Sequence, residues 1–218
     1  MTESLRDVLR GLPVFDVALP EFDPAGAPAE PVPLFNDWLL GAVSAGVQEP
    51  HAMTVSTAGA DGMPSARILI LKNVTADGWQ FASAEAGHKG RDLAERPYAA
   101  LTFHWQPLGR QVRIRGPVVR ESAERSAADF LARSTAARAE ALLGMQSKPL
   151  ADPAERDGAV AEAVARIERE PGLVAPGWLL HTVCADSVEF WQGDRDRNHT
   201  RLHYRRTEQG WVRELLWP

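Results

Sequence analysis

Apolar and polar positions alternate along much of this chain with a period of two. Met53-Thr-Val-Ser-Thr57 is a short alternating strand, and Arg67-Ile-Leu-Ile-Leu-Lys72 is a continuous apolar run between two cations. Turn residues crowd both sides of that run, at Gly59–Gly62 and Thr75–Gly78, so it reads as a buried strand rather than a helix. Trp79–Ser83 follows as a third strand. Three strands joined by short polar turns predict an antiparallel meander. Tyr98–Trp105 and the strictly alternating Gln111–Arg115, continuing to Val119, bring the set to five and favour a barrel or sandwich. Near the end, Trp178–Cys184 and Ser187–Trp191 are strand-like. Leu202–Arg206 and Trp211–Leu216 form a hairpin about Thr207–Gly210.

Between the strands the period changes to that of helices. Leu5, Val8, Leu9 and Leu12 predict a short helix within residues 4–16. Pro20, Phe22, Pro24, Pro28, Pro31 and Pro33 then mark an extended arm. From Pro33, Leu34, Phe35, Trp38, Leu39, Ala42 and Val43 make one apolar stripe, with Gly46 as a stop. His88–Arg96 is a short helix ended by Pro97. Ser122 caps a helix through Arg133. Residues 134–151 are irregular, either loop or helix. Asp152-Pro-Ala-Glu155 opens a helix that runs to about Glu170. The chain therefore divides into an N-terminal helix and Pro-rich arm, 1–32, and a main domain, 33–218.

Composition narrows the function classes. The 218 residues are 44% hydrophobic and 24% charged, as in a soluble globular protein. A net charge of −5 gives no reason to expect nucleic acid or an anionic membrane as partner. The single cysteine, Cys184, excludes a cysteine-rich metal site. No secretory signal or transmembrane run is visible, so a cytoplasmic protein is expected.

Two cationic groups carry the candidate chemistry. Arg67 and Lys72 flank the apolar run, and the first turn of the next helix is cationic at His88, Lys89 and Arg91. Cations at a buried strand end need a partner, and few carboxylates lie nearby in sequence. Helix N-termini already offer unpaired N–H groups and a partial positive charge, so added cations there fit a docked anion such as phosphate. The bland alternative leaves all of them in solvent. A third group, Arg197, His199 and Arg201, would alternate onto one face if extended. Histidine there can exchange a proton and arginine can hold an anion; a solvated turn is the alternative.

Taken together, R-I-L-I-L-K at 67–72, H-K-G-R at 88–91, R-Q-V-R-I-R-G at 110–116, Q-S at 146–147, E-F-W-Q-G at 189–193, R-x-H-x-R at 197–201 and the closing W-x-x-x-x-L-x-P from Trp211 resemble the pyridoxamine 5′-phosphate oxidase family of flavoproteins. The resemblance spans about Phe35 to Pro218. It implies a mainly β fold with flanking helices (α+β), an antiparallel split β-barrel that binds FMN. It also implies a homodimer with FMN in clefts at the subunit interface, and a small-molecule substrate. By position, Arg67, His88 and Lys89 would bind the FMN phosphate, with Ala82 and Ser83 nearby. Ile68, Leu69, Ile70 and Leu71 would line the flavin, and Lys72 would reach the ring region. Gln111 would hydrogen-bond the isoalloxazine. Gln146, Ser147, Trp191 and Arg201 would complete the site, some from the second subunit. Lys72, Arg133, Arg197 and His199 would bind substrate, Arg197 and His199 as the catalytic pair. The implied reaction is hydride transfer from substrate to flavin N5, with O2 as acceptor.

The departures begin at the cofactor, with His88 where the family has Arg and Ala82-Ser83 where it has Tyr-Thr, which FMN binding can survive, and go further at the substrate. Where the family holds the vitamer phosphate with Lys, Tyr, Arg and Ser, this chain keeps Lys72 and Arg133 but has Asp129 and Ala137. A carboxylate facing a dianion is repulsive, and alanine offers no donor. The resemblance thus leaves three readings: the family oxidase, a flavin oxidase of another metabolite such as a dihydrophenazine, as in the phenazine-biosynthesis relatives, or an FMN-binding module without turnover.

Overall fold

The computed structural model describes residues 4–218. Residues 1–3, the start of the expected arm, lie outside the described residues. The strands in chain order are β1 Ala52–Ala58, β2 Pro64–Ile70, β3 Asn73–Thr75, β4 Gly78–Ala84, β5 Tyr98–Trp105, β6 Arg110–Arg120, β7 Trp178–Val183, β8 Ser187–Gln192, β9 Thr200–Thr207 and β10 Gly210–Leu215. The α-helices are α1 Leu5–Gly11, α2 Pro31–Ser44, α3 His88–Glu95, α4 Ala123–Leu131, α5 Thr135–Leu142 and α6 Pro153–Arg169. The chain forms two compact units. One holds residues 4–50, 102–113 and 187–218; the other holds 51–101 and 114–186. Strands β5 and β6 contribute residues to both.

In the first unit, β8 and β9 pair antiparallel, Phe190 opposite Leu202, and β9 and β10 form the expected terminal hairpin. Helix α2 opens at Pro31, two residues earlier than expected, because proline has no hydrogen bond to lose in a first turn. It ends where Gly46 takes φ +70°. Its buried stripe of Leu34, Phe35, Trp38 and Ala42 meets an aromatic core. Phe35 packs edge-on to Phe103 at 4.9 Å, Trp38 to Phe190 at 5.2 Å, and Phe190 to Tyr204 at 5.7 Å. The Pro-rich arm is pinned here: the Tyr204 hydroxyl donates to Pro28 O at 2.8 Å, and Phe22 lies on Trp38 at 5.0 Å. Helix α1 is shorter than residues 4–16 allowed. Ser4 caps it, and Leu12 before Pro13 is extended, which ends it.

In the second unit, β1 and β2 form a hairpin from Ala52 opposite Ile70 to Ala58 opposite Pro64. The expected three-strand meander is not formed. β4 pairs with β3 and β7, and β7 returns to β6. The chain swings from one ladder to the other at two residues: Leu71 N–H donates to His51 O, and Lys72 N–H donates to Gln80 O. The expectation of a buried 67–72 strand is also corrected. β2 ends the order of paired strands, and it leaves Ile68 64% and Ile70 38% exposed. An edge strand with an apolar outer row needs a cover. Residues 134–151 resolve into α5, capped by Ser134, followed by irregular chain. Helices α5 and α6 close over Ala139, Ala163 and Ile167.

Candidate functional site

The turn into α3 is built for close approach of backbone. A Cβ at Gly90 would lie 2.3 Å from Glu85 O and 2.4 Å from Ala84 O, so only glycine lets this helix sit against the end of β4. Gly87 stands at the N-cap with no side-chain cap, which leaves the first N–H groups without that partner. Lys89, in that first turn, is buried with 6% of its surface exposed. Its Nζ donates to a neutral acceptor, Gln146 Oε1, at 3.0 Å. Burial and then the charge of Arg67 lower the Lys89 pKa. Two cations thus stand close in a partly desolvated place.

Arg67, on β2, is held from several sides. It donates to Thr57 Oγ1 and Ser65 Oγ at 2.8 Å each, and to Val55 O and Ser65 O at 3.1 Å. Burial lowers its pKa, and the charge of Asp92 opposes this. Asp92 is a carboxylate partner that sequence proximity to Arg67 does not disclose. It accepts from Thr57 Oγ1 at 2.6 Å, contacts His88 Nδ1 at 3.2 Å and stands 4.0 Å from Arg67. The signal was its place one helical turn after His88, on the same face. His88 is exposed and turned to this carboxylate.

A cavity of about 880 Å³ opens in this unit, lined by Ile68, Leu69, Ile70, Lys72, Ala82, Ser83, Lys89, Arg133, Ala137, Gln146 and Trp178 among others. Leu71 is buried beside it in sequence. Asp129 stands against two of these lining residues. Its Oδ1 lies 3.4 Å from Lys72 Nζ, and its Oδ2 accepts from Trp178 Nε1 at 2.9 Å. Arg133 lies over the Trp178 ring at 4.0 Å and donates to Ala137 O at 2.8 Å; its Nε is buried without a partner among the described residues. Burial lowers its pKa, and Asp129 opposes this. Ser147, next to Gln146, is exposed with φ +69°.

His181 on β7 was not singled out from the sequence. It is 1% exposed, stacks on Phe81 at 5.3 Å, and places Nε2 3.3 Å from Ser83 Oγ. Burial, then the charges of Arg120 and Lys89, push its pKa down to about 4, so the ring is neutral at pH 7.

The remaining sequence-predicted residues belong to the first unit. Gln111 is half-buried on β6. Trp191, on β8, packs on the His199 ring at 4.8 Å, and Phe15 of the arm contacts both. The expected extended run of Arg197, His199 and Arg201 is corrected: residues before Thr200 form a turn, in which Arg197 takes φ +64° and is exposed. Asp194 makes that turn by accepting the N–H groups of Asp196 and Asn198. His199 Nδ1 accepts from Asp194 N–H at 3.0 Å, which leaves the ring proton on Nε2. Arg201 is clamped to Glu189 by two bonds, at 3.0 and 3.1 Å, and donates to Trp217 O at 2.7 Å. Burial pushes Glu189 up, but the bonds from Arg201 and Arg113 outweigh it and hold the carboxyl below its usual range.

Comparison with known proteins places this arrangement. A family model described as pyridoxamine 5′-phosphate oxidase matches residues 39–169, and one described as the pyridoxine 5′-phosphate oxidase C-terminal dimerisation region matches 178–218. The pyridoxine/pyridoxamine 5′-phosphate oxidase of Ectopseudomonas mendocina is 38% identical over 220 residues, covering 100% of both chains. The crystal structure of PhzG from Burkholderia lata 383, in complex with tetrahydrophenazine-1-carboxylic acid, is 30% identical with a TM-score of 0.84, covering 93% of this chain and 98% of that one. A pyridoxamine 5′-phosphate oxidase-related, FMN binding protein from Nostoc punctiforme, 18% identical with a TM-score of 0.71 over 87% of this chain and 98% of that one, shares the fold. The fold class is therefore the antiparallel split barrel with flanking helices. On sequence and structure together, the chain belongs to the pyridoxamine 5′-phosphate oxidase family.

Proposed function

We propose that this chain is an FMN-dependent oxidase of a small-molecule substrate and that it works as a homodimer. One observation carries the cofactor reading. Lys89 is an ammonium with three donors, buried beside Arg67, and its Nζ donates to a neutral amide, Gln146 Oε1. A buried cation of this kind is costly unless an anion joins it. A phosphate supplies the charge and the acceptors, and charge-assisted contacts to it are the strong ones. In this reading Lys89 and Arg67 hold the phosphate, with Ser83 and His88 beside them. Ile68 to Leu71, Lys72 and Ala82 border the flavin, and the exposed Ile68 and Ile70 gain their apolar cover. Gln111, Gln146, Ser147, Trp191 and Arg201 complete the flavin site, some from the second copy. The match of residues 178–218 to a dimerisation region supports that second copy.

FMN, when bound, supplies the hydride acceptor at N5, and O2 takes up the electrons. The chain's residues bind and orient. His199 offers its Nε2 proton toward substrate, because Asp194 N–H occupies Nδ1. The exposed Arg197 offers a guanidinium for an anionic substituent.

For the substrate, a second reading has its own support. Lys72 is already paired with Asp129, and Ala137 brings no hydroxyl to the cavity. Arg133 is then the cation left for substrate beside Asp129; of the other lining cations, Arg156 is paired with Asp157 and Lys148 is exposed. One delocalised charge stacked on Trp178 suits a planar monoanion better than a phosphate dianion. We infer a reduced planar metabolite, of the kind bound to PhzG, ahead of the phosphorylated vitamers. The test is anaerobic bleaching of the bound flavin by pyridoxamine 5′-phosphate, pyridoxine 5′-phosphate and a dihydrophenazine carboxylate. Bleaching by the last at the lowest concentration is expected. Faster bleaching by a phosphorylated vitamer overturns the substrate reading, and FMN binding with no bleaching by any compound points to a binding module.

A further inference from the structure

His181 is the one buried ring of the second unit whose hydrogen bonding is half complete among the described residues. Nε2 meets Ser83 Oγ at 3.3 Å, and Nδ1 is buried with no partner. Two tautomers are possible. If Nε2 accepts the Ser83 proton, Nδ1 carries an N–H stranded in the protein. If Nε2 donates to Ser83 Oγ, Nδ1 is a stranded lone pair. Buried orphan N–H groups are the rarer of the two. Arg120, from β6, and Lys89, from α3, are the cations that act on this ring; both disfavour the imidazolium, so one ring nitrogen keeps its lone pair. Phe81 covers one ring face and carries no charge.

We propose that His181 is a positioning residue: by donating from Nε2 to Ser83 Oγ, it turns the Ser83 hydroxyl proton toward the cavity, as a donor to the phosphate held by Lys89. This rests on the FMN reading above. Ser83 and Lys89 line the same cavity. With the opposite tautomer, Ser83 would present only lone pairs to an anion and repel it. The neutral ring keeps this arrangement free of the burial cost that an imidazolium would add.

The test titrates FMN and riboflavin into the full-length protein and its Ser83→Ala, His181→Phe and His181→Gln variants. Ser83→Ala and His181→Phe should each weaken FMN by about 10- to 100-fold, the range of one hydrogen bond to a charged acceptor. Their combination should be no worse than Ser83→Ala alone. Riboflavin affinity should change by less than about twofold, since it has no phosphate. His181→Gln keeps an N–H donor and should recover most of the loss. Nitrogen-15 NMR of the wild-type protein should show the Nε2–H tautomer, and that readout stands even if a variant fails to fold. Equal losses for FMN and riboflavin, an unchanged FMN affinity in His181→Phe, or an Nδ1–H tautomer overturns the inference. Should the wild type prefer FMN over riboflavin while His181→Phe is silent, this inference alone fails. Should the wild type show no preference for FMN, the phosphate reading fails and this one with it.

Discussion

Replacing Asp129 by Asn tests the proposed reading of the cavity wall beside Lys72 as a substrate site. In the native protein Asp129 Oδ1 stands 3.4 Å from Lys72 Nζ, and Oδ2 accepts from Trp178 Nε1 at 2.9 Å. Asparagine keeps an acceptor for the indole, so the wall keeps its shape, but the charge that occupies Lys72 is gone. A freed ammonium can then donate to a phosphate. Such a charge-assisted bond is worth about 1.5–3 kcal/mol. The Lys72 side chain is 29% exposed, so solvent screening puts the gain near the lower limit. That is about tenfold in affinity, at about 1.4 kcal/mol per decade. The assay is steady-state oxidation of pyridoxamine 5′-phosphate, with unphosphorylated pyridoxamine as control. Asp129→Asn should lower KM for the phosphorylated compound by about tenfold and leave the control within about twofold. The double change Asp129→Tyr with Ala137→Ser should lower it further, by adding two hydroxyl donors. Equal gains for both compounds, or native turnover of the vitamer that Asp129→Asn does not improve, would refute the reasoning.

Two further outcomes follow from the same unit. His181 has its pKa depressed from 6.5 to about 4 in the folded state, so the unfolded chain binds its proton more readily. Its contribution is present above the unfolded value and is lost as pH falls through the window between the two. From about pH 7 to about pH 5 the loss is about 2 kcal/mol. Urea denaturation at both pH values should show His181→Phe less acid-sensitive than the wild type by about that amount; equal sensitivity counts against a buried neutral ring. Asp92→Ala strips the acceptor from Thr57 and His88 and leaves Arg67 without its carboxylate. It should cost about 2–3 kcal/mol of stability and weaken FMN; a change below about 0.5 kcal/mol would show that the cluster is not coupled.

How far the sequence discloses this protein depends on the range of the interactions. The helical stripe of α2, the terminal hairpin and the Asp152 cap are local patterns, and each forms where the residues place it. The cationic first turn of α3 stands out in the sequence as a candidate anion site because its charges violate the usual helix preference. Pairing was less legible. Nothing local to Leu71 and Lys72 announces that the chain leaves one ladder for another there, and so β2 read as buried while it forms an edge. The Arg197 segment misled for a related reason: alternation on paper assumes extended chain, whereas Asp194 folds it into a turn. Asp92 and His181 show the remaining gap. Their meaning lies in partners 35 and 98 positions away in sequence, Thr57 and Ser83. Only the fold brings those together.

The most direct measurement of the central claim is a paired titration of FMN and riboflavin into the native protein and Lys89→Ala. If Lys89 and Arg67 hold the cofactor phosphate, the native protein binds FMN at micromolar concentration or better and prefers it over riboflavin. Lys89→Ala then loses about 1.5–3 kcal/mol for FMN, some 10- to 100-fold, with riboflavin little changed. No FMN binding by the native protein at micromolar concentration, or an equal loss for both ligands in the variant, would contradict the account.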